Sequence, residues 1–366
     1  MRLSFLFTNR FTSVNVSIKN SGEARLAQIK SIEHVGTISE LVSFFQSGRL
    51  NFLLGAGAST SFVNVLGNVE QEINDFLAQD NELEAFKKAY KFIENMVHID
   101  NDFGKDKDRN KKLENYKEFL ENIDKILFER KTSILPRQAN IFSTNYDLFV
   151  EYAADFLPNI VLNDGFVRSY ALNNRLVYKP EVFFDRRYRG DGQFEKYAEI
   201  PTINLIKLHG SLSWGVQNNE VFYTKPILPN FKYLENSTSK LKACLKKIAV
   251  ILPIMSKFHD TLFERIYYES FRIFSKSMDA ENAVLISFGF SFNDEHILDI
   301  VRRSLRNPTA QLIIFSYSYE SSLEYQKKFE GQRNVLIYRM ADENEKINFS
   351  RFNQILGSLV IGKNDE

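Results

Sequence analysis

The sequence predicts an α/β fold, in which a doubly wound parallel sheet carries a helical insertion or a second, smaller domain. Two observations predict it. Short apolar segments of strand length alternate with longer segments of helical period, and several of the apolar segments end in small polar residues. Strands that alternate with helices form parallel sheets, because each crossover connection carries a helix over one face of the sheet. The expected sheet is therefore of the Rossmann-like type.

The composition fits a globular protein with a sizeable core. The chain has 366 residues, of which 44% are hydrophobic and 25% are charged. Its 47 lysine and arginine residues nearly balance its 46 acidic residues, which leaves a formal net charge of +1. The chain therefore lacks the overall positive field that favours nucleic-acid binding, and we expect no direct contact with nucleic acid.

The sequence also indicates a cytoplasmic protein. Its single cysteine, Cys244, cannot form an internal disulfide or a zinc site built from several thiolates, and it fits a reducing compartment. No apolar run reaches the roughly 18–20 residues that a membrane helix needs. Polar residues interrupt the N-terminal apolar segment too early for a secretory signal. We therefore expect no membrane association.

Residues 1–36 predict an N-terminal β-extension. Apolar residues alternate with polar ones in two short stretches, at Leu3, Phe5 and Phe7 and at Val14, Val16 and Ile18. This period of two is typical of β-strands. The extension could serve self-association or fold back on its own domain. The main domain is expected to span residues 37–366.

The main domain is predicted to alternate strands with helices. From Thr37 the apolar period becomes helical, and charged helical patterns at about residues 66–131 predict an insertion. The principal strands are predicted at residues 50–54, 140–142, 203–208 and 283–288. Further strands are predicted at residues 311–315 and 335–338, among helices at residues 295–305, 319–329 and 349–360.

Each principal strand ends in a cluster of small or polar residues. In chain order the clusters are Gly55-Ala56-Gly57-Ala58-Ser59, Thr144-Asn145-Tyr146-Asp147, His209-Gly210-Ser211 and Gly289-Phe290-Ser291-Phe292-Asn293-Asp294. In open α/β sheets, ligands bind in the crevice outside the carboxyl ends of the strands. We therefore expect the four clusters to converge on one pocket.

The first two clusters each have a chemical and a structural interpretation. The glycine cluster can offer backbone N–H groups to a pyrophosphate. However, Thr60 stands where the dinucleotide fingerprint has its third glycine, so a simple strand-to-helix turn explains the cluster equally well. In the second cluster, Asn145 or Asp147 can bind a ligand or cap the helix that follows.

The last two clusters also have more than one interpretation each. His209 directly follows a strand and precedes a glycine, so its side chain can point into the crevice and act as a general base, although a structural histidine is the alternative. Ser291 and the nearby N–H groups can hold phosphate or ribose oxygens. Asp294 can contribute to the same site or cap the next helix.

Taken together and in this order, the four clusters resemble those of the sirtuin family, over about residues 38–315. The resemblance implies that His209 is the general base and that Asn145 orients the nicotinamide ribose of NAD and a water molecule. It implies a pyrophosphate site at the glycine cluster, contacts of Asp147 near the nicotinamide, and contacts of the last cluster with the adenosine half. The cofactor-binding residues implied in this way are Gly55, Ala56, Gly57, Ser59, Thr144, Asp147, Gly289, Ser291 and Asp294.

The departures from the sirtuin pattern bear on the chemistry. Sirtuin deacetylases hold a zinc ion on two Cys-x-x-Cys pairs after the His-Gly motif, whereas this chain has only Cys244 there, so we expect no zinc. The segment that binds the acyl peptide also has no match. The chain looks more like the sirtuin-like domains of bacterial antiphage systems. That resemblance implies an NAD+ hydrolase that releases nicotinamide and ADP-ribose and depletes NAD, its substrate, in abortive infection.

Other functions remain as alternatives. The chain could be a sensor that binds NAD or ADP-ribose without turnover, or an ADP-ribosyl transferase. A nucleic-acid-binding role would rest only on a lysine run, which is better interpreted as one solvated helix face, at Lys240, Lys242, Lys246 and Lys247. Because an unregulated NAD hydrolase would poison its own cell, we expect regulation. By family analogy, homo-oligomerisation through residues 1–20 or a HerA-type ATPase partner could supply it.

Overall fold

The computed structural model describes residues 27–59, 66–101, 107–130, 134–170, 175–191, 196–218, 220–225, 227–250 and 261–361. The strands predicted within residues 1–20 lie outside these ranges.

The six strands predicted in the main domain are present, and several short strands that were not predicted lie among residues 161–250. The strands are β1 (Gln28–Ser31), β2 (Arg49–Leu54), β3 (Gln138–Ser143), β4 (Val161–Asn163), β5 (Phe166–Arg168), β6 (Leu176–Tyr178), β7 (Tyr188–Asp191), β8 (Lys196–Glu199), β9 (Thr202–Lys207), β10 (Gly210–Gln217), β11 (Glu220–Tyr223), β12 (Ile248–Val250), β13 (Ala283–Phe288), β14 (Gln311–Phe315) and β15 (Val335–Arg339). The α-helices are α1 (Thr37–Ser47), α2 (Leu66–Ala78), α3 (Glu82–Asn101), α4 (Lys107–Phe128), α5 (Phe149–Asp155), α6 (Thr238–Leu245), α7 (Thr261–Met278), α8 (Glu295–Ser304), α9 (Tyr319–Lys328) and α10 (Phe349–Ile361).

Eight strands form the main sheet, in the order β1-β15-β14-β13-β2-β3-β9-β4. All neighbouring strands in it run parallel. From β2 the chain continues to β3 and β9 on one side, whereas from β13 it continues to β14 and β15 on the other. The strand order therefore reverses between β2 and β13, which is the topological switch point of a doubly wound sheet. The predicted Rossmann-like α/β class is confirmed.

Both faces of the main sheet are covered by helices. Apolar residues of α1, α4, α5 and α10 pack with the sheet in one core, and those of α7 and α8 pack with it in another. Strands β9 and β13 are buried along their whole length. This explains why they appear in the sequence as nearly continuous apolar runs, as strands covered on both faces do.

A row of asparagines crosses four neighbouring strands of this sheet. The side-chain amide of Asn140 donates to Asn51 (2.8 Å), that of Asn204 donates to Asn140 (2.9 Å), and that of Asn163 donates to Asn204 (2.9 Å). These residues are also direct partners in the strand pairing. A slip of one strand would leave buried amides unpaired, so the row fixes the register.

A second, antiparallel sheet forms a smaller unit, with the order β12-β10-β11-β6-β5. Helices α2, α3 and α6 pack with β10 and β12 in a separate apolar cluster. The segment predicted as a helical insertion is therefore divided, because α2 and α3 join this smaller unit whereas α4 packs on the main sheet.

The N-terminal segment contributes one described strand to the main sheet. Strand β1 pairs in parallel with β15 at the edge of the main sheet. Residues 28–31, which the sequence analysis placed in the N-terminal extension, thus belong to the main sheet. In the described part of the chain, no helix is both long and apolar enough to cross a membrane.

Candidate functional site

The loops that follow β2 and β13 meet at the switch point. The N–H of Gly57 donates to the carbonyl of Gly289 (2.8 Å), and the N–H of Gly55 donates to that of Phe288 (3.1 Å). A Cβ on Gly57 would lie 2.6 Å from the Cα of Gly289, whose φ of +66° also favours glycine. Glycine is thus required because two backbones pass in contact, at the place where an open α/β sheet binds its ligand.

The backbone donors of the glycine cluster are largely engaged within the protein. The N–H groups of Gly55 and Gly57 donate across the switch point, and the N–H of Ala58 donates to the carbonyl of Gly55 (3.0 Å). Residues Ala56–Ser59 form a 3₁₀ turn. The predicted pyrophosphate donors therefore face protein carbonyls in this conformation, and binding a pyrophosphate through them requires the loop to rearrange.

A buried polar network joins the first two clusters. The hydroxyl of Ser59 donates to Asp147 Oδ2 (2.8 Å) and lies 2.7 Å from the hydroxyl of Tyr116. The amide of Asn145 donates to Ser59 Oγ (3.2 Å) and to the carbonyl of Gly55 (3.1 Å). Ser59 is completely buried. Three predicted site residues thus form one network, within which the orientation of the Asn145 amide is fixed.

Tyr116 is the member of this network that the sequence analysis missed. It lies on α4, within a strongly charged helical segment, and stacks on Phe149 with ring centroids 5.3 Å apart. Burial raises the pKa of Tyr116 well above its ordinary value, and the negative charge of Asp147 raises it further. The hydroxyl therefore stays protonated. A single tyrosine among helical charges gives no sign in the sequence of this role.

The second cluster also supports the start of a helix, which was its structural interpretation in the sequence. Asp147 Oδ1 accepts from the N–H of Phe149, the first residue of α5 (3.3 Å). The N–H of Thr144 donates to the carbonyl of Leu54 (3.1 Å), which extends the contact between β2 and β3 beyond the strands. Asp147 thus supports the start of a helix with one oxygen and contacts Ser59 with the other.

A buried ion pair holds the backbone of the second cluster. The Lys207 ammonium, at the end of β9, donates to the carbonyls of Asp147 and Asn145 and lies 3.3 Å from Glu151 Oε1. Burial raises the pKa of Glu151, although the Lys207 charge offsets part of the effect. Neither residue was predicted. The available signal was Lys207 itself, a charged residue at the end of an otherwise apolar strand.

The third and fourth clusters meet through a histidine and a carboxylate. His209 Nε2 lies 3.0 Å from Asp294 Oδ2, and the two side chains are 20% and 21% exposed. The other oxygen of Asp294 accepts from the N–H of Ile297 (3.1 Å) and caps α8. Burial by itself raises the pKa of Asp294, but the hydrogen bonds from His209 and Ile297 outweigh it and hold the pKa below its ordinary value.

The remaining contacts of His209 are aromatic. Its ring is stacked over Phe271 of α7 with centroids 6.4 Å apart, and Tyr146 lies at 6.4 Å on a tilted plane. An ionised carboxylate bonded to one ring nitrogen fixes the orientation of an imidazole, as acid–base sites require. The pair is about one fifth exposed and adjoins Tyr146, so it borders the second cluster.

Ser291 lies outside these contacts. It is exposed, and its carbonyl accepts from the Lys328 ammonium (2.7 Å), which also donates to Asn293 Oδ1 (2.5 Å). The structure therefore brings together Ser59, Asn145 and Asp147 in one group, His209 and Asp294 in a second, and the glycines between them. Among the described residues, no group of three or more histidine, cysteine or acidic side chains is arranged to hold a metal ion.

Sequence comparison gives an independent result. A family model described as a SIR2-like domain matches residues 139–338, which is more than half of the chain. The match runs from within β3 to within β15 and includes the second, third and fourth clusters. No curated protein matches the chain.

Proposed function

The chain belongs to the SIR2-like domain family, and from this membership and the site geometry we propose that it hydrolyses NAD+ between nicotinamide and ribose. The products are nicotinamide and ADP-ribose. The observation that carries the proposal is the His209–Asp294 pair, a partly exposed histidine and carboxylate beside the switch point of the sheet. That is the place at which a dinucleotide binds in this architecture.

The proposed binding mode places the dinucleotide over the glycine contact. The pyrophosphate lies against residues 55–57, after the loop has released N–H groups that now donate to protein carbonyls. The nicotinamide half lies towards Asn145 and Asp147, and the adenosine half lies towards Gly289 and Ser291. Thr144 and Asp294 complete the proposed lining at the ends of β3 and β13.

The proposed reaction is a displacement by water at the ribose. The bond between C1′ and the nicotinamide nitrogen breaks, and its electron pair leaves with neutral nicotinamide. The ribose becomes oxocarbenium-like, and the oxygen of a water molecule bonds to C1′. His209 takes a proton from the water, or from a ribose hydroxyl that in turn accepts the proton of the water, and later loses it to solvent. Holding the ribose and the water in place lowers the entropic part of the barrier.

The surrounding residues support this chemistry by orientation. The amide of Asn145 is held by Ser59 and by the carbonyl of Gly55, and this orientation lets it direct a water molecule. Asp294 holds the imidazole of His209 through Nε2. Positioned general-base help contributes about 10²–10⁴-fold to such reactions.

The test is product release by the purified full chain. NAD+ is incubated with the protein, and nicotinamide and ADP-ribose are separated and quantified, beside His209→Ala and Asn145→Ala variants. His34→Ala, at an exposed position near the edge of the sheet, is the matched control. We expect release by the wild type and by the control and its loss in the other two variants. A fully active His209→Ala protein contradicts the proposal.

Two further measurements with NAD separate the alternative functions. Saturable NAD binding without release by the protein in any state identifies a sensor. Transfer of label from tagged NAD to protein identifies an ADP-ribosyl transferase. The hydrolase is favoured over the sensor because the site offers both an oriented amide and a histidine–carboxylate pair, and binding alone requires neither.

We also propose that this conformation is a resting state of a cytoplasmic antiphage enzyme. The engaged N–H groups of Gly55, Gly57 and Ala58 support this, because they leave the pyrophosphate without its donors until the loop rearranges. Homo-oligomerisation or a HerA-type ATPase partner would release them. Light scattering coupled to activity measurement tests this, since a stable monomer with full activity contradicts it.

A further inference from the structure

A cavity of about 590 Å³ lies in the smaller unit, and none of its lining residues belongs to the candidate site. Its floor is formed by buried apolar side chains of β10, β12 and the segment before α6, namely Leu212, Trp214, Leu234 and Ile248. Its size is within the range of about 300–1,000 Å³ that is typical of small-molecule sites. The cavity therefore offers a ligand an apolar surface that is already formed.

The rim of this cavity is positively charged. Lys225, Lys240 and Lys247 line it, all three are exposed, and no aspartate or glutamate is among the lining residues. Within the described ranges, none of these three ammonium groups has a hydrogen bond or an ion pair. Cys244 also lines the cavity, and burial raises the pKa of its thiol although Lys247 opposes the shift. The thiol thus contributes no negative charge.

The lysine run of the sequence is consequently not one uniform face. Lys240 and Lys247 line the cavity, whereas Lys242 and Lys246 do not. An apolar floor beneath unpaired cations matches one ligand chemistry, an apolar body that carries an anionic group. A free inorganic anion would leave the floor uncovered, and an uncharged apolar molecule would leave the lysines without a partner.

We propose that this cavity binds a small organic anion with an apolar body, of the class of medium-chain fatty acids. The carboxylate lies among Lys225, Lys240 and Lys247, and the chain covers Trp214 and Leu212. The proposal does not depend on the proposed NAD hydrolysis, because none of the residues that it uses takes part in that reaction.

The chain contains a single tryptophan, and Trp214 lines this cavity, so its fluorescence reports on occupancy. The full-length protein is titrated with decanoate and with ω-bromodecanoate, whose bromine quenches indole emission only near contact. Decyltrimethylammonium, which has the same chain and the opposite charge, is the control. We expect saturable quenching by the brominated acid, displacement by decanoate, and no comparable binding of the cation.

Variants test separately how the positive charge and the apolar surface contribute to decanoate binding. Lys240→Met combined with Lys247→Met keeps the apolar stems and should weaken decanoate binding about tenfold. Lys327→Met, an exposed lysine on α9, should leave it unchanged. Ala243→Phe, at an exposed lining position of α6, should fill the cavity and abolish binding. Circular dichroism checks that each variant is folded.

Three results would overturn the proposal. One is the absence of saturable quenching by ω-bromodecanoate. The second is equal binding of the cationic control. The third is unchanged affinity in the double lysine variant, whose substitutions lie at exposed positions and leave the fold intact.

Discussion

His209 and Asp294 are 85 positions apart in the chain, yet His209 Nε2 lies 3.0 Å from Asp294 Oδ2. The contact joins the end of β9 to the start of α8, which follows β13, and in the main sheet β2 and β3 lie between β9 and β13. Asp294 serves two purposes, because one oxygen caps α8 and the other orients the histidine. Substitutions can separate these purposes.

Asp294→Asn should lower catalysis more than stability. Asparagine caps helices about as well as aspartate, so the bond from the N–H of Ile297 can persist, whereas the negative charge beside His209 is lost. Asp294→Ala should lose both, at a cost of about 1 kcal/mol for the cap. The measurements are kcat for nicotinamide release and the free energy of unfolding in urea. Wild-type kcat in Asp294→Asn would show that the carboxylate charge is not used.

The stabilising effect of Asp294 should depend on pH. The bonds from His209 and Ile297 hold its folded-state pKa below the ordinary value of 3.8, so the ionised form is stabilised by folding. This contribution is present above the unfolded-state pKa and is lost as the pH falls through the folded-state pKa. The stability difference between wild type and Asp294→Ala should therefore be largest near neutral pH and shrink below about pH 4. A difference that grows on acidification contradicts the assignment.

Lys207→Met should be strongly destabilising. It leaves the buried carboxylate of Glu151 without its cation and two carbonyls without their donor. Breaking one side of a buried ion pair costs about 3–5 kcal/mol. Urea unfolding should show this loss, and adding Glu151→Gln should recover part of it, because the amide carries no charge. Lys327→Met is the exposed control, and a Lys207→Met protein as stable as that control would rule out the role.

Asn140→Ala tests the asparagine row. Asn140 both donates to Asn51 and accepts from Asn204. Its removal leaves the buried acceptor of Asn51 without this donor and one N–H of the Asn204 amide without its acceptor, while the bond from Asn204 to the carbonyl of Phe183 remains. Each unsatisfied group costs about 1–3 kcal/mol, and urea unfolding should show a loss in that range or above. Asn236→Ala, at an exposed position before α6, should change stability by less than about 0.5 kcal/mol. Equal stability of the two variants would contradict the register role.

The main sheet could be predicted because its strands carry a local signal. Strands buried on both faces must be apolar throughout, and the predicted segments 140–142 and 283–288 correspond to β3 and β13. The smaller antiparallel sheet was not predicted. Its strands β5, β6 and β12 have three residues each, too few to show a period, and their pairing depends on long-range contacts.

For the candidate site, the sequence predicted where the polar clusters lie but not which of their side chains are in contact. The polar clusters could be located because each interrupts an apolar strand at its carboxyl end, and parallel strands bring those ends to one edge. Which side chains then meet depends on the packing of distant helices. Tyr116 reaches Ser59 from α4, and Asp294 reaches His209 from the start of α8. No spacing within the sequence encodes either contact.

The most direct test is nicotinamide release from NAD+ by the purified full chain and by its His209→Ala variant, with His34→Ala as the matched control. The proposed hydrolase releases nicotinamide and ADP-ribose in equal amounts, and His209→Ala lowers the rate by about 10²–10⁴-fold while remaining folded. An His209→Ala protein that releases nicotinamide at the wild-type rate would contradict the central claim.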